Sequence, residues 1–198
     1  MADVEYRGVS DLYYAKVTED SDNAYVTGTP KRLAGIATVS KTTASSVAAH
    51  YYDNIPAVLI ATSGTDELTL SVSAIPLEVL ADITGQVYDS THGAIIEGQR
   101  EQDYFAIGYK TKKTNGTEMF VWRLKGVFNV PDQTSNTEDD STDANGQEVT
   151  FTGTQTAHKF TTTGQGARAV IVDDGLGLAQ TSNWFSAVVT PDTITTRA

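Results

Sequence analysis

The stretch that most restricts the fold is "DYFAIGYKTKKTNGTEMFVWRLKGVF" (Asp103–Phe128), because it can hardly be anything but a β-hairpin. Phe105, Ile107 and Tyr109 recur at every second position on the way in. Asn115-Gly116 supplies the positive-φ residues of a tight turn, and Phe120, Trp122 and Leu124 recur on the way out. Phe128 is expected in phase with the last three across Gly126, with Arg123 and Lys125 on the opposite face. The basic group Lys110, Lys112 and Lys113 near the turn reads either as a solvated tip or as a surface that meets an acidic neighbour.

Other segments fit the same all-β pattern, and the abundance of Thr, Ser, Val and Gly favours strands. "DLYYAKV" (Asp11–Val17), "KRLAGIATVS" (Lys31–Ser40), "DELTLSVSA" (Asp66–Ala74), "EVTFTGTQT" (Glu148–Thr156) and "ARAVIVDDG" (Ala167–Gly175) are each expected to be strands. Thr42–Thr65 has a looser pattern, expected as a long, partly strand-like hairpin or loop. One helix is expected in "AIPLEVLADITG", with Pro76 at its first position and Gly85 just beyond its last turn. Leu77, Leu80, Ala81 and Thr84 would form its buried face. "SNWFSAVV" places Ser182 or Asn183 as a cap before a short apolar turn. The final "TPDTITTRA", residues 190–198, reads as extended and unanchored. Together these give one β domain over residues 1–198, with about seven or eight strands and one short helix.

Between Pro131 and Glu148 the chain is almost devoid of apolar side chains and carries Asp132, Glu138, Asp139, Asp140, Asp143 and Glu148 with no basic residue. So polar a run is expected to be a mobile loop over 131–148. Within it "STDANG" puts Asp143, Asn145 and Gly146 at three positions of a calcium loop. Ser141 and Thr152, however, stand where an aspartate and a bidentate glutamate are needed.

Charge and composition narrow the chemistry. The 198 residues are enough to bury a core without staples. A net charge of −11 opposes binding to a phosphate backbone. Without cysteine there are no disulfides and no thiolate metal sites. The start "MADVEYRGVS" lacks a basic and an apolar region, so no signal peptide is expected, and no apolar run approaches the ~20 residues of a membrane span. A soluble protein made in the cytoplasm is the expectation. His50, His92 and His158 lie far apart and are expected to be solvated. "GQGARA" (Gly164–Ala169) follows "FTTT" and leads into "AVIV", the reverse of a dinucleotide fingerprint, so it reads as a turn. No catalytic residue, cofactor or metal site is expected.

An ordered set of stretches resembles the major tail proteins of long non-contractile-tailed phages of Gram-positive bacteria. These are "GVSDLYYA" (Gly8–Ala15), "GTPKRLAG" (Gly28–Gly35), "YYDNIP" (Tyr51–Pro56), "IPLEVLADITG" (Ile75–Gly85), "FAIGYKTKKTNG" (Phe105–Gly116), "VWRLKGVF" (Val121–Phe128), "EVTFTGT" (Glu148–Thr154) and "NWF" (Asn183–Phe185). The resemblance implies a mainly β fold of two packed antiparallel sheets, a sandwich or barrel, with one flanking α-helix. It implies self-assembly into hexameric rings stacked as a tail tube in the virion, assembled in the host cytoplasm. The implied partners are other copies, a tape measure protein and a tail terminator. DNA would pass through without specific binding, and there would be no membrane insertion. The corresponding inter-subunit hairpin falls on Thr42–Thr65, with Tyr51, Tyr52 and Ile55 as contacts or, alternatively, as core. From its polarity alone, and not from the resemblance, the loop carrying Asp132 to Glu148 is expected to project from the outer wall or the ring interface and to order on assembly. A monomeric β-sandwich that binds a glycan or calcium, a head-completion or decoration protein, and a hydrolase with a scattered catalytic set are the competing readings.

Overall fold

The computed structural model describes residues 4–52, 54–133 and 146–197. The chain is mainly β, built as two antiparallel sheets with one short helix. In order the strands are β1 (Tyr6–Asp20), β2 (Tyr25–Thr27), β3 (Lys31–Arg32), β4 (Ile36–Tyr52) and β5 (Ile55–Val72). Helix α1 (Leu77–Thr84) comes next. It is followed by β6 (Val87–Asp89), β7 (Ala94–Ile96), β8 (Tyr104–Lys113), β9 (Glu118–Phe128), β10 (Asp132–Gln133), β11 (Gln147–Gly153) and β12 (Ala169–Asp173). These twelve strands among the described residues exceed the seven or eight expected, because five of them are only two or three residues long and too short to show a period.

The main sheet runs β2-β1-β8-β9-β11-β5-β4, and β6 and β7 pair separately. Strands β1 and β4 stand far apart in that order yet touch, so the sheet wraps around its contents. Inside the wrap lies one apolar cluster, in which Leu12 and Tyr14 of β1 meet Leu68 and Leu70 of β5, Phe105 and Ile107 of β8, Phe128 of β9 and Phe151 of β11. A second cluster lies on the outer face of β8 and β9. There Ala106, Phe120, Trp122 and Leu124 are covered by Phe160, Trp184 and Val188 from the C-terminal third. Each large side chain fully withdrawn from water contributes about 1.5–3 kcal/mol.

The hairpin at Asn115-Gly116 forms as expected, but its two apolar rows face opposite ways. Phe105, Ile107 and Tyr109 belong to the inner cluster; Phe120, Trp122 and Leu124 belong to the outer one. Phe128 is not in phase with Leu124, for Phe105 pairs with Gly126 while Ile107 pairs with Arg123. That leaves one extra residue in β9, a bulge that turns Phe128 inward. Strand β9 also forks. Its residues 119–123 pair with β12, and its residues 126–128 pair with β11.

Helix α1 ends at Gly85, whose φ of 67° is left-handed as expected. Pro76 has ψ 141° and so precedes the helix instead of opening it, and Leu77 is exposed. Ala81, Ile83 and Thr84 are buried, and Leu80 packs half-buried against the inner cluster, so of the expected face only Leu77 is left out. Residues 182–186 form successive turns, with Trp184 N–H donating to Thr181 O and Ser186 N–H to Asn183 O. The C-terminal segment is anchored, contrary to expectation. Gln180 N–H donates to Thr195 O and Arg197 N–H to Leu178 O, while Asp192 accepts from the backbone N–H groups of Thr161 and Thr162. A polar, Thr-rich stretch hides such anchoring because backbone and carboxylate supply it without apolar side chains.

Candidate assembly surface

The start of β4 and the end of β5 belong to the body of the protein. Leu68, Leu70 and Val72 point into the inner cluster, and β5 is flanked by β11 from Gln147↔Val72 to Gly153↔Asp66. Beyond Asp66 no rung of β11 remains. The two strands continue alone from Ser45↔Ser63 to Tyr52↔Ile55, closing at Asn54 with φ 62°. An irregularity between Thr43 and Ser45 marks where this arm leaves the body. At the usual strand rise, Ser45 to Tyr52 reaches about 25 Å.

The arm carries exposed apolar side chains on both faces. On one face Val47 sits opposite Ala61 and Leu59 opposite Ala49; on the other Ile60 sits opposite Ala48 and Val58 opposite His50. Val47 and Leu59 are 67% and 69% exposed. At the tip the structure places Tyr51, Tyr52 and Ile55 together, 65%, 64% and 65% exposed, so these three are surface and not core. Between Ala44 and Gly64 the one Asp, Glu, Lys or Arg in the sequence is Asp53. Edge strands in soluble proteins are ordinarily protected by charges, proline or brevity. This arm is long and almost uncharged, and it has two open edges. That near-absence of charge over twenty residues was available in the sequence; the exposure was not, since an apolar run reads equally as buried strand.

The other candidate residues are scattered or lie elsewhere. Asp132 and Glu148 face each other in the short β10–β11 ladder, with Gln133 opposite Gln147. The acidic run therefore begins and ends in paired strand, narrower than the 131–148 loop expected. Glu138, Asp139, Asp140 and Asp143 lie outside the described residues, as does most of the calcium-like stretch. Among the described residues no group of three or more His, Asp or Glu could hold a metal ion. His50 is exposed on the arm, and His92 Nδ1 lies 2.6 Å from Asp89 Oδ2. His158 departs from the solvated expectation: it is half-buried, edge-on to Phe160, with an Nδ1 that meets no partner. No described helix is long and apolar enough to cross a membrane.

No family model matches the chain, and no curated protein matches it. Among solved structures it is similar to a chain from the sheath–tube complex of an extracellular contractile injection system (PVC) in its extended state, determined by cryo-EM. The identity is 14% and the TM-score 0.38, over 83% of this chain and 89% of that one. At that score the likeness does not bear on what this chain does.

Proposed function

We propose that this protein is a structural component of a phage tail, a single tail-tube-like domain that assembles with copies of itself into hexameric rings stacked as a tube. The observation that carries this reading is the β4–β5 arm. A two-stranded ribbon is marginal alone in water, and exposed apolar surface of this extent marks an interaction site. Its open edges suit addition of a strand from another copy, and its two apolar faces suit packing on a neighbour. Contacts made between different patches of identical subunits close into rings or propagate as filaments.

The net charge of −11 suits a conduit. A negative wall repels phosphate, so DNA would slide without sticking. Part of that charge is proposed to face the lumen, with the tape measure and tail terminator proteins as further partners and the virion as the final location. The role needs no nucleophile and no cofactor. Electron microscopy of the purified protein across a concentration series tests it. Hollow rings or tubes with a bore of about 20 Å or more, wide enough for duplex DNA given grooves near 10 Å, are expected. A protein that stays monomeric and binds a glycan or calcium tightly would instead establish a binding module.

A further inference from the structure

A polar cleft of about 580 Å³ opens at the root of the arm. It lies where β9 forks: past Arg123 its neighbour changes from β12 to β11, and the two diverging strands leave a gap that Gln155, Thr163 and residues 165–169 line. Across the gap stand Lys41 and Thr43 of β4 and Asp66 of β5. Asp66 is almost wholly buried, and so is Arg123, which is 7% exposed. Arg123 Nη1 donates to Asp66 Oδ2 at 3.0 Å; Thr43 Oγ1 donates to Oδ1 at 2.7 Å; Lys41 Nζ lies 3.5 Å from Oδ1 and Arg168 Nη1 3.8 Å from it.

Two features of this arrangement are incomplete. Lys41 and Arg123 alone place two positive charges against the single carboxylate of Asp66, in a chain whose acidic residues outnumber its basic ones by 25 to 14. Among the described residues Arg123 meets Asp66 through one nitrogen only, and its buried Nε has no acceptor. A guanidinium commonly binds carboxylate through two nitrogens, and a buried donor left unpaired costs free energy. Among the described residues the cleft thus holds more cationic donors than carboxylate acceptors.

We propose that the Lys41–Asp66–Arg123 cleft receives a carboxylate side chain from a neighbouring copy of this chain. The occupant follows from charge complementarity. Copies at −11 repel one another, so a contact between them is favoured where carboxylates of one meet cations of the next, and carboxylates are the charged groups a second copy presents most. The cleft adjoins the arm, so both contacts would belong to one interface. The inference rests on the self-assembly reading above.

Sedimentation velocity of the wild-type chain, Lys41→Glu and Lys41→Met at low and high salt tests it, together with zero-length carbodiimide cross-linking of a mixture of isotopically light and heavy wild-type protein. The expected result is self-association of the wild type that Lys41→Glu weakens by about tenfold or more, with Lys41→Met in between. A cross-link from Lys41 to a carboxylate of the other copy is also expected. Undiminished association of Lys41→Glu, or Lys41 cross-links confined within one copy, would overturn the cleft proposal and leave self-assembly standing. A wild type that fails to associate at any concentration would overturn both. Should Lys41→Glu not fold, Lys41→Met and the wild-type cross-links still decide the matter.

Discussion

The indole of Trp122 lies directly over Gly108 on the neighbouring strand. The two are cross-strand partners, and a Cβ built on Gly108 would come within 2.9 Å of three ring atoms. Trp122 is wholly buried, and its Nε1–H donates to the carbonyl of Trp184 at 3.0 Å, which pins the ring against the C-terminal third. Gly108 is therefore fixed by a close approach and not by backbone conformation. Gly108→Ala is expected to force the ring off this position and to destabilise the fold by about 1–3 kcal/mol. Urea unfolding monitored by tryptophan fluorescence measures this directly; an unchanged midpoint would mean that the ring shifts at no cost.

The arm and the body should respond differently to mutation. Val47 and Leu59 are exposed on the same face of the β4–β5 arm, away from either core cluster. Val47→Asp and Leu59→Asp are expected to change the stability of the isolated chain by no more than about 0.5 kcal/mol each. In the assembled form the same charges would sit in an apolar contact without a partner, which is costly. Light scattering should therefore show self-association lost while thermal unfolding stays where it was. Retained association in the double variant would remove the arm from the interface.

Much of the fold is written in the sequence where pattern and punctuation agree. Asn115-Gly116 between two alternating rows gave a hairpin, and Gly85 gave the end of α1 in a left-handed conformation. What the pattern could not carry is which way a row faces. Phe105 and Trp122 belong to opposite faces of one hairpin because both sides of β8 and β9 are covered, and alternation is silent when each face is apolar. The bulge that returns Phe128 to the inner cluster depends on pairing register, which is a tertiary fact. The candidate surface was half legible. The segment Thr42–Thr65 reads as a long, partly strand-like hairpin or loop, and it is a hairpin, but its extension beyond the last rung of β11 needed the paired structure. The cleft was not legible at all, for Lys41, Asp66 and Arg123 lie on three strands and meet only in the paired sheet.

The C-terminal segment supplies a separate test. Asp192 accepts from Thr162 N–H at 2.7 Å and from Thr161 N–H at 2.9 Å; the Thr162 side chain foremost, then these two amides, hold its carboxyl below the usual aspartate range. Asp192→Ala is expected to release both amides, raising their hydrogen-exchange rates while the amides of β8 and β9 keep theirs. Equal protection in the variant would show that the segment is held by its other bonds, those of Gln180 and Arg197.

Acid should unfold the protein through two buried carboxylates. Burial pushes the carboxyl of Asp20 up, but the ion pair with Lys125 at 2.5 Å and the backbone N–H groups of Ala157 and His158 outweigh it, so its pKa is lowered. Asp66 behaves alike: burial raises it, while the Thr43 hydroxyl and the charges of Lys41 and Arg123 lower it further than burial lifts it. A carboxyl whose folded pKa lies below its unfolded value of about 3.9 binds fewer protons in the native state than in the unfolded one. Its contribution to stability is then complete above that value and is lost as pH falls through it towards the folded pKa. Stability is expected to hold near neutrality and to decline steeply below about pH 4 to 5. Asp20→Asn leaves the half-buried Lys125 without its counter-ion and should cost on the order of 1 kcal/mol at pH 7, while flattening the acid limb of the curve. Urea unfolding of wild type and variant from pH 7 down to pH 3 separates the two effects, and an acid limb equally steep in the variant would show that Asp20 does not carry it.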